Sequence, residues 1–352
     1  MMERRRICEL WDRGDAAALI TLVRVEGSSY RRTGARLLIA ANGDYAGSIS
    51  GGCLEAEVIR KAQWFVRDGS AVVERYSTLF DDTAEIPYGL GCGGTVDLLI
   101  EPTHTSECHA LMDAMKASLS GEARRVITWL PQRNAALRRE VSGDSEATIF
   151  SSEPTDRIAS DLFAETLDAP QRLFVFGAGD DAQPMVRMAA LLGWSVTVID
   201  GRSQWAQAER FPEAEHVIVS STPDGIDISA CDAVVLMTHS YEQDRAWLAA
   251  VLPRSPRYLG LLGARHRSAL LVSEAAAMLH WTVERACEGL FAPVGLDLGG
   301  DGAEAIALAT IAEVHACCEG KLGVSRRMTA ETVAEQITLG DAARYLQTPC
   351  AL

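Results

Sequence analysis

The feature that most constrains the fold of this chain is a glycine turn in its second half. Residues 173–176 read as a strand, Gly177-Ala178-Gly179-Asp180-Asp181-Ala182 follows directly, and helical periodicity comes next. A GxGxxA string alone is weak evidence. A strand before it, a helix after it, and an acid, Asp200, at the end of the next strand make it a Rossmann signature. Gly177 and Gly179 would let the backbone approach a pyrophosphate, the helix N-terminus would supply N–H donors, and Asp200 would accept from a ribose hydroxyl.

The surrounding pattern agrees. Short apolar runs at 173–176, 195–199, 216–219, 233–237 and 258–261 alternate with helical stretches, as a parallel sheet built from βαβ units requires. Thr238-His239-Ser240 follows the fourth run and Gly263-Ala264-Arg265 the fifth. His239 and Arg265 therefore fall where open α/β sheets place ligands, beyond the carboxyl ends of the strands. A locally bonded loop histidine is the plainer alternative. Asp180 and Asp181 disturb the picture, because they put negative charge where a phosphate should sit. Helix capping is their expected role.

A chain of 352 residues suggests two domains. Residues 1–150 read as an α+β domain, 151–171 as a polar connection holding Pro154 and Pro170, 172–320 as the Rossmann-like domain, and 321–352 as a tail. The fold class expected is thus α/β, with an N-terminal α+β domain followed by a parallel-sheet domain. In the first half, strands are expected at 18–25, 36–40, 72–76 and 95–101, and helices at 54–67 and 106–120. Signals over 124–150 are weak and favour hairpins.

The net charge of −15 argues against nucleic acid or anionic membrane as a partner, since those need a basic surface. No run approaches the ~18 apolar residues of a membrane span, and the N-terminus lacks a signal-peptide core. Nine cysteines without CxxC spacing read as reduced thiols, which suits the cytoplasm.

Three glycine-rich loops mark the first half: 26–36, 47–53 and 88–94. Gly51 and Gly52 stand just before a helix and offer N–H groups to an anion. Cys53 falls in the first turn, where the helix dipole favours a thiolate. Cys92 lies between Gly91 and Gly93-Gly94, which leave its thiol approachable. Arg31, Arg32 and Arg36 flank the first loop. Together these suit a small, multiply anionic ligand that reacts with sulfur. The plainer reading makes Cys53 a small buried residue. A zinc site drawn from Cys53, Cys92, His104, Cys108 and His109 lacks the usual spacing.

These strings resemble the XdhC/CoxI family of accessory proteins for molybdenum hydroxylases. The matching stretches are Gly27-Ser28-Ser29 with Gly34-Ala35-Arg36, Ser50-Gly51-Gly52-Cys53-Leu54-Glu55, and Gly89-Leu90-Gly91-Cys92-Gly93-Gly94 with Glu101-Pro102. In the second half they are Phe176-Gly177-Ala178-Gly179, residues 258–265, and Ala292-Pro293-Val294-Gly295-Leu296-Asp297. They run in the family's order over about residues 15–315. The resemblance implies a chaperone that binds molybdenum cofactor of the molybdopterin type and protects it. It implies delivery of the sulfurated form to a client hydroxylase of the xanthine dehydrogenase type, with a cysteine desulfurase supplying the sulfur. It assigns metal contact to Cys92, with Cys53 as a second thiol, and a homodimer is compatible with it. Tyr30 stands where the family pattern has proline, and Asp180 where it has histidine. Two rivals stay open: an NAD(P)-dependent oxidoreductase working near His239, and an assembly scaffold with no bound cofactor.

Overall fold

The computed structural model describes residues 1–52, 54–77, 94–132, 136–143, 147–151, 161–223 and 225–323. These fall into two compact units that divide between Ala169 and Pro170.

In the first unit, α1 (Met2–Trp11) leads into β1 (Ala16–Gly27), β2 (Arg36–Ala40) and β3 (Tyr45–Gly47). Then come α2 (Glu55–Phe65), β4 (Val72–Ser77), β5 (Gly94–Pro102) and α3 (Ser106–Leu119). The strands form an antiparallel sheet in the order β3-β2-β1-β5-β4. Its two faces follow the two-residue period of a strand. Ile20, Leu22, Leu37, Ile39, Leu98 and Ile100 point to one face, where α2 lays Leu54, Val58 and Ala62 against them at helical spacing. Leu19 and Leu38 point to the other, toward α1 and α3. A bulge between Leu22 and Arg24 re-phases β1 and sets Arg24 opposite Asp97.

The second layer on that face is a four-stranded antiparallel sheet. It consists of β6 (Arg124–Trp129), β7 (Arg138–Ser142), β8 (Ala147–Phe150) and β9 (Leu162–Leu167), in the order β8-β7-β6-β9. The hairpins expected over 124–150 are β6 to β8. The segment 151–171 is not simply a connection, because β9 lies within it and pairs with β6 from Arg124↔Leu167 to Trp129↔Leu162. Only Phe163 and Leu167 of that strand are buried, which is too thin an apolar pattern to read. Its Glu165 is satisfied from the other sheet, by Arg36.

Charge crosses between the two sheets at three places. Arg36 of β2 pairs with Glu165 of β9, and Arg24 of β1 meets Asp161 at 2.7 Å. The third pair is deepest. Arg139 of β7 grips Glu101 of β5 through two bonds of 2.9 and 3.1 Å, with both side chains essentially inaccessible. Its remaining donors reach Thr128 Oγ1 and the Glu107 carbonyl. Glu101 of the Glu-Pro string is therefore an internal tie.

The second unit is a six-stranded parallel sheet. Its strands are β10 (Arg172–Phe176), β11 (Ser195–Asp200), β12 (His216–Val219), β13 (Ala233–Leu236), β14 (Tyr258–Leu261) and β15 (Leu290–Phe291). The order β12-β11-β10-β13-β14-β15 is the doubly wound 3-2-1-4-5-6 arrangement. The helices α4 (Ala182–Leu191) and α8 (Ala303–Cys318) cover one face, and α5 (Tyr241–Val251) with α6 (Arg265–Met278) covers the other. A short helix, α7 (Val283–Cys287), precedes β15, a two-residue strand too brief to see in the sequence. The tail expected over 321–352 lies almost wholly outside the described residues.

Breaking a buried ion pair strands its partner charge, which costs about 3–5 kcal/mol, whereas replacing both partners with apolar groups is often neutral. Arg139→Met should therefore lower unfolding free energy by about 3–5 kcal/mol. The double variant Arg139→Met/Glu101→Leu should recover most of that loss. Urea unfolding of both proteins checks this, and equal losses would remove the pair from its central place.

Candidate functional site

The antiparallel order carries the first two glycine-rich loops, and Gly94 of the third, to one end of the first sheet. β1 leaves the sheet at Gly27, β3 at Gly47 and β4 at Ser77, while β5 enters at Gly94. Gly27 pairs with Gly94, Ser77 with Thr95 and Gly47 with Leu37, so all four ends lie on the same side. The loop 28–35 and residues 48–52 depart from that side. Gly94 is held by contact: a Cβ there would stand 2.1 Å from the Ser28 carbonyl oxygen. Any side chain there would collide with the first loop at Ser28. Cys53, Gly91, Cys92 and Gly93 lie outside the described residues.

The seat expected at Gly51-Gly52 is occupied by the chain itself. Glu55, in the first turn of α2, turns its carboxylate back into the loop. Oε1 accepts from the N–H groups of Ile49 and Ser50 at 3.1 and 2.8 Å and from the Ser48 hydroxyl at 2.9 Å. Oε2 accepts from Gly52 N–H at 3.1 Å and from the Ser50 hydroxyl. Burial opposes the charge, but these bonds outweigh it and hold the carboxyl below its ordinary value. Leu54 N–H bonds the Ser50 hydroxyl at 3.1 Å. An external anion would have to displace Glu55. Sequence reasoning passed over this residue, although a carboxylate closely following Ser-Gly-Gly was the available signal.

The three arginines separate. Arg31 pairs with Glu3 of α1 at 2.8 Å. Arg36 is buried against Glu165 and the Gly34 carbonyl, so the expectation that it reads a ligand's charge gives way to a structural role. Arg32 is exposed. Tyr30, beside them, lies over Gly51 and joins the first loop to the second.

In the second unit, Gly177 has φ 126° and a Cβ there would stand 2.3 Å from the Met237 carbonyl oxygen. This glycine is needed where the turns after β10 and β13 abut, at the switch point of the sheet. His239 adopts φ 62°, rare for a non-glycine residue, and its Nε2 meets Asp181 Oδ2 at 2.7 Å. Asp181 makes no capping bond to α4, and Asp180 pairs with Arg210 at 2.7 Å. The capping expected of these acids is thus replaced by cross-links to other loops. Asp200 is buried and accepts from Ala178 N–H at 2.8 Å, Arg202 N–H at 2.9 Å and the Arg202 guanidinium. Burial again opposes its charge, and Arg202 and Ala178 hold it low. Arg265 is exposed in the first turn of α6.

Among the described residues no group of three or more His, Cys, Asp or Glu side chains could hold a metal ion. Of the zinc candidates that are described, Cys108 is fully buried with its thiol pushed well above the ordinary range, mainly by burial. His109 packs edge-on against Trp11. No helix among the described residues is long and apolar enough to cross a membrane.

Residues 173–314 match the XdhC Rossmann domain, and residues 10–77 match the XdhC and CoxI family. The chain belongs to the XdhC and CoxI family. A relative from Bacillus subtilis (strain 168), named as a probable subunit of xanthine dehydrogenase, is 27% identical over 315 residues, covering 85% of this chain and 92% of that one. The molybdenum cofactor insertion chaperone PaoD of Escherichia coli (strain K12) is 28% identical over 307 residues, covering 86% and 83%. A crystal structure described as a xanthine dehydrogenase from Bacillus halodurans superposes with a TM-score of 0.77 at 26% identity. It covers 95% of this chain and 99% of that one.

Within this XdhC Rossmann domain the residues do not fit a nicotinamide dinucleotide. Asp181 Oδ1 would stand 2.5 Å from a Cβ at Gly179, so a carboxylate lies against the turn on which the motif seats a pyrophosphate. Asp200, the ribose acceptor of the motif, already takes four hydrogen bonds from within the chain.

Two outcomes follow from this geometry. Glu55 has a depressed pKa in the folded chain, so its contribution to stability is full above the unfolded value of about 4.3 and fades as pH falls below it. Glu55→Gln should therefore be less stable than the parent at pH 7, with the gap narrowing below about pH 4; thermal unfolding across that range reads it. Calorimetry at neutral pH should find no micromolar binding of NAD(H) or NADP(H) to the parent. Asp180→Asn/Asp181→Asn should bind more tightly, because like charges about 4 Å apart cost about 1 kcal/mol even in water. Micromolar binding by the parent, unchanged in the variant, would place the acids outside the phosphate seat.

Proposed function

We propose that this protein is a molybdenum-cofactor chaperone, binding the cofactor without turning it over and passing it to a molybdenum hydroxylase of the xanthine dehydrogenase type. The observation that carries this reading is that β1 ends and β5 begins at one paired position, Gly27 and Gly94, with Tyr30 of the first glycine-rich loop beside Gly51 of the second. Two of the three glycine-rich loops bear a cysteine in their sequence, Cys53 and Cys92. A pterin with a phosphate and a metal dithiolene is small, anionic and thiophilic, and glycine-flanked thiols leave room for such a ligand. The name of the Escherichia coli relative, an insertion chaperone, supports the same reading.

In this proposal the Cys92 thiol meets the metal or its sulfur ligand, and the backbone of Gly91, Gly93 and Gly94 lets the ligand come close. Cys53 serves as the second thiol beside Gly51 and Gly52. Exposed Arg32 meets the anionic group, while Arg31 and Arg36 support the loop through Glu3 and Glu165. The delivered form is the sulfurated cofactor, charged by a cysteine desulfurase, and the protein works in the cytoplasm as a homodimer. The second unit has its dinucleotide contacts engaged internally, which suits a role in meeting the client.

The test is metal and pterin analysis of protein purified from molybdenum-replete cells. The parent should carry molybdenum and pterin. Cys92→Ser should keep the parent's unfolding midpoint, lose most of the bound cofactor, and fail to activate a client hydroxylase. Parent-level occupancy in Cys92→Ser would remove the thiol from the metal, and a parent without molybdenum or pterin would overturn the chaperone reading.

A further inference from the structure

Helix α8 carries little polar surface. Apart from the two cysteines at its end, only Glu304, Thr310, Glu313 and His315 are polar. Thr310 and Glu313 are buried, and Ala307, Ile311 and Val314 pack into the core beneath the helix. The opposite face is apolar as well. Leu308 is 54% exposed, between half-buried Ala305 and Ala312. Helix α4, which packs beside α8, ends in Leu191, 77% exposed, and in Leu192. A helix that is apolar all round is ordinarily buried on every side. Among the described residues nothing covers this face.

The two polar residues left on the open face stand at its ends. Glu304 and His315 are both exposed. They are about three turns apart, so they share a face, separated by about 16 Å along the axis. A twofold contact must be its own complement, because the same patch meets itself. This face satisfies that condition. An antiparallel copy, with the twofold axis midway between Glu304 and His315, sets each Glu304 against the partner's His315. It also brings Leu308 nearly level with the partner's Ala312, whose small side chain leaves room for it. The net charge of −15 restricts where such a contact can form, since two copies repel unless the surface is free of unpaired acids. Along this stretch the one exposed acid has its match. Glu319 falls a turn beyond His315, at the rim, with Lys321 after it.

We propose that the open face of α8 is the surface on which two copies of this chain associate, packed antiparallel with a Glu304–His315 contact at each end. This rests on the homodimer in the reading above and is independent of the cofactor site. The exposed leucines of α4 widen the contact.

The experiment is sedimentation velocity of the full-length protein over a concentration series. The parent should be a dimer. Leu308→Glu places an unpaired carboxylate at the apolar centre of both copies, and should raise the dissociation constant at least about a hundredfold. Glu304→Arg sets a guanidinium against the partner's His315 and should weaken the dimer about fivefold. Glu304→Arg/His315→Glu restores opposite charges and should return to within about twofold of the parent. The two positions are too far apart to touch within one helix, so recovery requires an antiparallel copy. Leu270→Glu, at an exposed position of α6 on the other face of the sheet, should leave the dimer unchanged. Circular dichroism should show every variant folded, and if Leu308→Glu is not, the exposed charge exchange decides alone. A dimeric parent with Leu308→Glu equally dimeric would overturn this interface and leave the homodimer standing. A double variant as weak as Glu304→Arg would overturn the antiparallel arrangement. Dissociation by Leu270→Glu would put the contact on the opposite face and overturn the proposal. A parent that is monomeric throughout would overturn both the interface and the homodimer, and its molybdenum and pterin content would still decide the chaperone reading separately.

Discussion

The first unit depends on two carboxylates that β5 turns inward. Asp97 and Glu101 lie on the same face of that strand, and each is buried. Asp97 receives Arg75 of the neighbouring strand β4 at 2.7 and 2.9 Å and Arg24 of β1 at 3.1 Å. Glu101 receives Arg139 from the second sheet. An unpaired carboxylate in such a place would cost several kcal/mol, so the partners must be delivered together. That requirement fixes the stacking of the two sheets. It also fixes β5, whose first residue, Gly94, pairs with Gly27 and abuts the first loop at Ser28.

A second theme runs through both units: groups that resemble anion seats are filled by the chain's own carboxylates. Glu55 fills the N–H cluster before α2, while Asp180 and Asp181 put charge at the start of α4 and pair it with Arg210 and His239. Asp200 closes over Ala178 N–H. Buried or half-buried backbone donors must be satisfied, and an internal carboxylate does so without depending on a ligand. The consequence differs between the units. In the Rossmann unit the internal bonds engage the groups a dinucleotide would use. In the first unit they stiffen the second loop, and the surface beside it, with Tyr30 and Arg32, stays open to solvent.

His239 illustrates how such contacts redirect a motif. Its backbone lies in the left-handed region, a conformation that costs about 1–3 kcal/mol for most residues. Its ring is fixed by Asp181 across the switch point. A histidine after the fourth strand was legible as a candidate, and so was the pair of acids after Gly179. Their bond to each other was not, because it joins positions far apart in sequence through two turns whose separation only the assembled sheet sets.

The sequence by itself determined the parallel-sheet unit. Apolar runs separated by helices, with Gly177 and Gly179 in the first turn, encode that arrangement through local periodicity and local backbone geometry. The same local signals marked the three glycine loops and most strands of the first unit. Tertiary structure alone decided what lies opposite what. It turned Arg36 from a ligand contact into the partner of Glu165, and made a strand of the stretch around Phe163. It also laid Tyr30 on Gly51. Each outcome is a pairing between distant segments, and its energy comes from burial and charge neutralisation. Those quantities belong to the folded chain and leave little trace in any short stretch of sequence.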